Sequence, residues 1–132
     1  MPIVSANDTM FDVDAVVFDK DGTLVDLDGL WFPPARGWLE AIAGDDEALC
    51  RLLADRLGVD LVGERLVPDG IAAAATFDDF KQTTADELSS QGWDAERVTA
   101  ALSVGGRASN AAIPPEASAV LADIPTLFAE LR

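Results

Sequence analysis

Ala15-Val16-Val17-Phe18-Asp19-Lys20-Asp21-Gly22-Thr23-Leu24 is the stretch on which the reading of this chain turns. An apolar run ends on two aspartates at alternate positions, and a glycine and a threonine follow at once. Valines and phenylalanine without polar alternation predict a strand buried on both faces of a parallel sheet, here over Phe11–Phe18. Ligands of such sheets sit beyond the carboxyl ends of the strands, so Asp19 and Asp21 are carried to where chemistry takes place. Gly22 lets the backbone turn tightly and approach a ligand. An acidic turn after a core strand would use some of the same letters, but order and context together favour a functional motif.

The string hhhhDxDGT, read here from Ala15 to Thr23, closely resembles the first signature of the haloacid dehalogenase-like (HAD) hydrolase superfamily. Most of its members are magnesium-dependent phosphatases. The continuation Leu24-Val25-Asp26 is similar to the subfamily that includes phosphoglycolate phosphatases. The resemblance implies an α/β fold with a Rossmann-type parallel sheet core and an inserted helical cap. It implies that Asp19 is a nucleophile forming an aspartyl-phosphate, and that Asp21 is the general acid that later activates water. Mg2+ would take the Asp19 carboxylate and the main-chain carbonyl of Asp21 as metal ligands.

The chemistry suits these residue types. A carboxylate is ionised at neutral pH and is a competent covalent catalyst. A positioned general acid contributes typically about 10²–10⁴-fold. Two carboxylates facing a phosphate dianion need a hard cation between them. Within the superfamily that the motif resembles, an acid at the second position implies phosphate esters over dehalogenation. The subfamily resemblance implies a small phosphomonoester such as phosphoglycolate as substrate. A phosphoglucomutase-like phosphotransferase shares the motif, and a non-catalytic helical interaction module is the alternative of a different class. Lys20 alternates away from the active face and takes no role. Thr23 either shapes the loop or packs the turn.

Composition narrows the partners. The chain has 132 residues, of which 49% are hydrophobic, and this suffices for a packed core. Its formal net charge is −15, from 24 acidic and 9 basic residues, which repels nucleic acid and anionic membrane surfaces. No apolar run approaches the roughly 20 residues needed to span a bilayer. No basic-then-apolar leader opens the sequence, so a cytoplasmic location is expected. The absence of histidine excludes Ser-His-Asp and Cys-His catalysis and His-ligated zinc within this chain. Cys50 is the only cysteine, which leaves no intrachain disulfide and fits a small buried residue better than a nucleophile.

The chain divides into residues 1–30 (loose leader to residue 11, core strand, nucleophile loop and flap), a helical cap over 31–112, and a return helix over 113–132. Leu24–Leu30 reads as an irregular turn. Pro33 and Pro34 open a helix bearing Trp38, Leu39 and Ile42, closed by Gly44. Asp45 caps a second helix with Leu49, Leu52, Leu53 and Leu57 on one face, ended by Gly58. Val59–Gly70 is a connection with a short extended piece at Leu66. Thr76 and Asp79 form a capping box for a helix to about Ser90. Trp93 and Val98 staple a fourth helix that starts after Asp94 and ends near Gly105. Gly105–Pro115 is a loop, and helical pieces follow at Ala117–Ala122 and from Asp123 to Leu131.

Trp31, Phe32 and Arg36 belong to the cap core or face the active site. Asp78, Asp79 and Lys81 have the types of the family's later motifs in the wrong order; helix capping explains Asp79, and complementation of the helix dipole in the first turn explains Asp78. No second Val/Ile-rich strand follows position 18, so the resemblance implies an amino-terminal part of a longer enzyme. A lone parallel strand has both edges unpaired, and downstream sequence or a partner chain is expected to cover it.

Overall fold

The computed structural model of the protein describes residues 3–20, 23, 25–115 and 123–130. It begins with an antiparallel hairpin, β1 (Ile3–Ala6) and β2 (Thr9–Asp12), in the register Ile3↔Asp12 and Ala6↔Thr9. Asn7 and Asp8 make the turn with φ of 49° and 62°, and these residue types tolerate left-handed backbone best after glycine. The leader expected to be loose is therefore a hairpin. The strand expected over Phe11–Phe18 stops at Asp12, and residues 13–20 have no regular structure. A strand is held by neighbours on its edges, and no described segment pairs with this run.

Next comes α1 (Leu27–Ala43), which starts before the two prolines rather than at them. Leu27–Leu30, expected as an irregular turn, is the first turn of this helix. Buried Leu30, Pro34, Ala35, Trp38, Leu39 and Ile42 recur at three- and four-residue spacing, and that stripe continues through Pro33 and Pro34. Its burial outweighs the two N–H groups that the prolines remove. Gly44 ends the helix with φ of 56°. Asp46, one residue beyond the expected cap, accepts the Leu49 N–H at 3.0 Å and starts α2 (Glu47–Leu57). Gly58 closes α2 in the left-handed conformation, as expected. It also passes Gly70 so closely that a Cβ on Gly58 would lie 2.7 Å from the Gly70 Cα.

A second small hairpin, β3 (Val59–Asp60) and β4 (Arg65–Leu66), occupies the expected connection. The Leu66 N–H donates to Asp28 Oδ1 at 2.8 Å, which ties β4 to the first turn of α1. A short helix, α3 (Ile71–Ala74), was not legible in the alanine run. The helix α4 (Phe77–Ser90) carries the expected Thr76–Asp79 capping box, with both reciprocal bonds at 3.1 Å.

Asp94 accepts the Arg97 N–H at 2.8 Å to begin α5 (Ala95–Ala111), which runs past its expected end at Gly105. Gly105 is there for a close crossing and not for a stop. A Cβ on it would meet Ile42 Cδ1 at 2.9 Å and Trp38 Cδ2 at 3.0 Å. α5 lies along α1 over this contact, so the loop expected at Gly105–Pro115 begins only after the helix. The last element is α6 (Ile124–Glu130), capped by Asp123 through the Thr126 N–H at 3.2 Å. The helical piece expected at Ala117–Ala122 lies outside the described residues, as does Leu131.

The core forms between α1, α2, α4 and α5, where Trp38, Leu39, Leu53, Leu57 and Leu88 are fully buried. Thr84 is buried among them. Its hydroxyl accepts the Trp38 indole N–H at 3.2 Å and donates to the Phe80 carbonyl at 2.9 Å. Both polar groups are thereby satisfied.

Candidate functional site

Asp19 sits on the irregular segment between β2 and α1, with its carboxylate exposed to solvent. The Thr23 hydroxyl donates to Asp19 Oδ2 at 3.2 Å. The backbone curls around the Lys20 carbonyl, which accepts the Thr23 N–H at 3.3 Å and the Val25 N–H at 3.0 Å. Val25 then buries its side chain with Leu30 in a small apolar cluster. The local sequence accounts for this turn: small and polar residues make it, and the next apolar residue anchors it. Thr23 thus contacts the candidate nucleophile directly. Asp21 and Gly22 lie outside the described residues.

A magnesium site needs several oxygen ligands held together. Asp19 supplies one hard carboxylate, and among the described residues no group of three or more His, Cys, Asp or Glu side chains is placed to hold a metal. The residues described therefore do not by themselves compose the expected metal centre, and no step is derived through one.

The other acidic and basic residues of interest have structural partners. Lys81 pairs with Asp78 at 2.7 Å, and the Asp79 carboxylate is held below its usual range, first by the Thr76 hydroxyl and then by the Thr76 N–H. Arg36 pairs with Glu40 at 2.7 Å and reaches Glu64 at 3.6 Å, so it crosslinks α1 to the second hairpin. Phe32 is buried in the core. Cys50 is half-buried, and burial pushes its thiol up, away from the thiolate that nucleophilic attack requires.

The described cavity lies elsewhere. It has a volume of about 350 Å³ and is formed where α1, α3, the start of α4 and the end of α5 meet. Trp31, Pro34, Ile71, Phe77, Phe80 and Ser109 contribute to its walls, and Asp19 does not. Of the residues singled out in the sequence, Trp31, Pro34 and Thr76 line it. Phe77 and the α3 alanines were missed because an alanine run gives no periodic signal and a phenylalanine after a cap reads as ordinary core. Phe77 stacks on Phe80 at 6.2 Å between ring centroids and meets the edge of Trp38 at 5.8 Å.

Among the described residues no helix is long and apolar enough to cross a membrane. Compared with known families, characterised proteins and solved structures, the chain matches no family model, no characterised protein and no solved structure.

Proposed function

We propose that this chain carries the nucleophile loop and helical cap of a HAD-type, magnesium-dependent phosphatase acting on a small, phosphoglycolate-like phosphomonoester in the cytoplasm. The observation that carries the reading is the segment Asp19-Lys20-Asp21-Gly22-Thr23 at the end of an apolar run. The Thr23 hydroxyl on the Asp19 carboxylate supports it, because that bond orients the attacking group. In this reading an Asp19 oxygen attacks phosphorus, the ester P–O bond breaks, and the departing alkoxide takes a proton from Asp21. Asp21 then removes a proton from water, which attacks the phosphorus of the aspartyl-phosphate and releases phosphate. A magnesium ion would supply charge neutralisation when bound, and by the resemblance the Asp19 carboxylate and the main-chain carbonyl of Asp21 would hold it. The rest of the parallel sheet, with the other metal ligand, comes from downstream sequence or a partner chain.

The test is phosphate release from small phosphomonoesters with and without magnesium, on this chain and on a product extended by the sequence that follows it. Asp19→Asn is expected to abolish turnover, and a retained wild-type rate refutes the nucleophile. Asp21→Asn is expected to slow formation of the phospho-enzyme or to trap it, read by intact mass. Phosphoryl transfer to a sugar phosphate in place of release to water would identify the mutase-like chemistry instead.

A helical interaction module is the second reading, favoured by the position of Asp19 outside the cavity and by Val17, which is 93% exposed. Inactivity of both products together with failure to bind magnesium selects it.

A further inference from the structure

We propose that the open pocket where α1, α3, α4 and α5 meet is a binding site for an uncharged, flat, ring-containing small molecule. The proposal is independent of the phosphatase reading, since Asp19 takes no part in the walls. The volume of about 350 Å³ falls at the lower end of small-molecule sites, which span roughly 300–1,000 Å³. That admits one fused ring system and little more.

The walls specify the chemistry. The lining residues are apolar apart from the hydroxyls of Thr76 and Ser109 and the indole N–H of Trp31, in a chain whose net charge is −15. An anion would find no cation in the walls and an unfavourable long-range field, and a cation would find no carboxylate there. Of the two hydroxyls, Thr76 is committed to its capping box at 2.7 Å from Asp79 Oδ2. Ser109, on α5, has no side-chain hydrogen bond among the described residues and offers a polar anchor beside the Trp31 indole N–H. Trp31 and Phe77 flank the space while 36% and 58% exposed, which leaves apolar ring surface that a bound ring would cover.

Phe77 is also held in place before any ligand arrives. It is stacked on Phe80, edge-on to Trp38, and has the Lys81 ammonium 5.2 Å from its ring centroid. A rigid aromatic wall costs little ordering on binding. Water in such a space finds few polar partners and is readily displaced by an apolar ring.

The test titrates the chain with N-phenyl-1-naphthylamine, a neutral probe whose fluorescence rises on leaving water, and competes it with indole. Saturable binding of one equivalent, displaced by indole, is expected. Phe77→Ala, which removes a wall, and Ser109→Leu, which fills the space, are each expected to weaken the probe at least tenfold while helical circular dichroism at 25 °C stays near wild type. Val17→Asp, on the exposed apolar run of the amino-terminal arm, is expected to leave binding unchanged. Absence of saturable binding overturns the proposal, and so does binding that survives both cavity variants or is lost with Val17→Asp. A concentration-dependent dimer that Phe77→Ala dissolves would assign the cavity to a second copy of the chain and overturn it equally.

Discussion

The helical unit over residues 27–111 and the amino-terminal arm over residues 3–25 are both rich in apolar residues, yet they meet opposite fates. In the helices Trp38, Leu39, Leu53 and Leu57 are entirely removed from solvent, whereas in the arm Val17 is 93% exposed. The difference lies in spacing. Apolar residues three and four apart make a stripe on a helix, and the helix satisfies its own backbone hydrogen bonds. Four such stripes bury one another using nothing from outside the segment. The contiguous run Ala15–Phe18 has no stripe to offer, and as a strand it needs a neighbour on each edge. Within the described residues it has no strand partner, and Phe18 makes a tilted ring contact with Phe128 at 6.0 Å between centroids. A helical pattern can complete itself locally, whereas a buried-strand pattern specifies a partner.

The largest effect that would break this comparison is at Trp38. Trp38→Ala is expected to cost about 3–5 kcal/mol, the range for truncating a large buried aromatic. Thr84 keeps the Phe80 carbonyl as its acceptor, so the loss is one of packing and not of an orphaned hydroxyl. Urea denaturation followed by helical circular dichroism measures it. A loss below about 1 kcal/mol would mean that the helical unit is not the cooperative core described here.

A smaller effect is expected at the cap of α4. Thr76→Ala is expected to cost about 0.5–2 kcal/mol, as loss of a helix cap does. The partner of Thr76 adds a pH signature. The Asp79 carboxyl is held below its usual range by the Thr76 hydroxyl, so the unfolded chain takes up a proton there before the folded one does. The stabilisation is fully present above the unfolded pKa of about 3.9 and is lost as pH falls through the folded value. The gap in melting temperature between the wild type and Asp79→Asn is therefore expected to be full at neutral pH and to narrow as the pH falls below about 3.9. A gap that stays constant with pH would remove the carboxylate from the cap.

The same contrast explains what was legible in the sequence. The Thr76–Asp79 box, the Asp94 cap and the glycine stops at Gly44 and Gly58 were read correctly because each is a local device confined to a few residues. Gly105 was misread as a stop because its function is a contact with Trp38 and Ile42, more than sixty residues away in the chain. Pro33 and Pro34 were misread as a helix start, since the stripe that overrides them is satisfied only by tertiary packing. The cavity was invisible for the same reason: its walls come from four helices, one of them an alanine run without periodicity. At the candidate nucleophile the sequence supplied the motif, and the structure added one contact, the Thr23 hydroxyl on Asp19.

The smallest expected effect is the one that bears most directly on the arm. Val17→Ser is expected to change stability by no more than about 0.5 kcal/mol, because the side chain has almost nothing to lose. Amide exchange over residues 13–18 should be fast, while that over 38–42 follows global unfolding, since unpaired backbone opens at almost no cost. A destabilisation above about 1 kcal/mol, or slow exchange in the arm of the isolated chain, would show that the run is already packed and needs no partner. If instead the arm becomes protected only in a product extended by the following sequence, its valines are paired there. Val17→Ser should then become costly in that product alone, by the roughly 1.5–3 kcal/mol that burial of a valine contributes. One substitution measured in two contexts would thus separate a strand awaiting its sheet from a segment that never forms one.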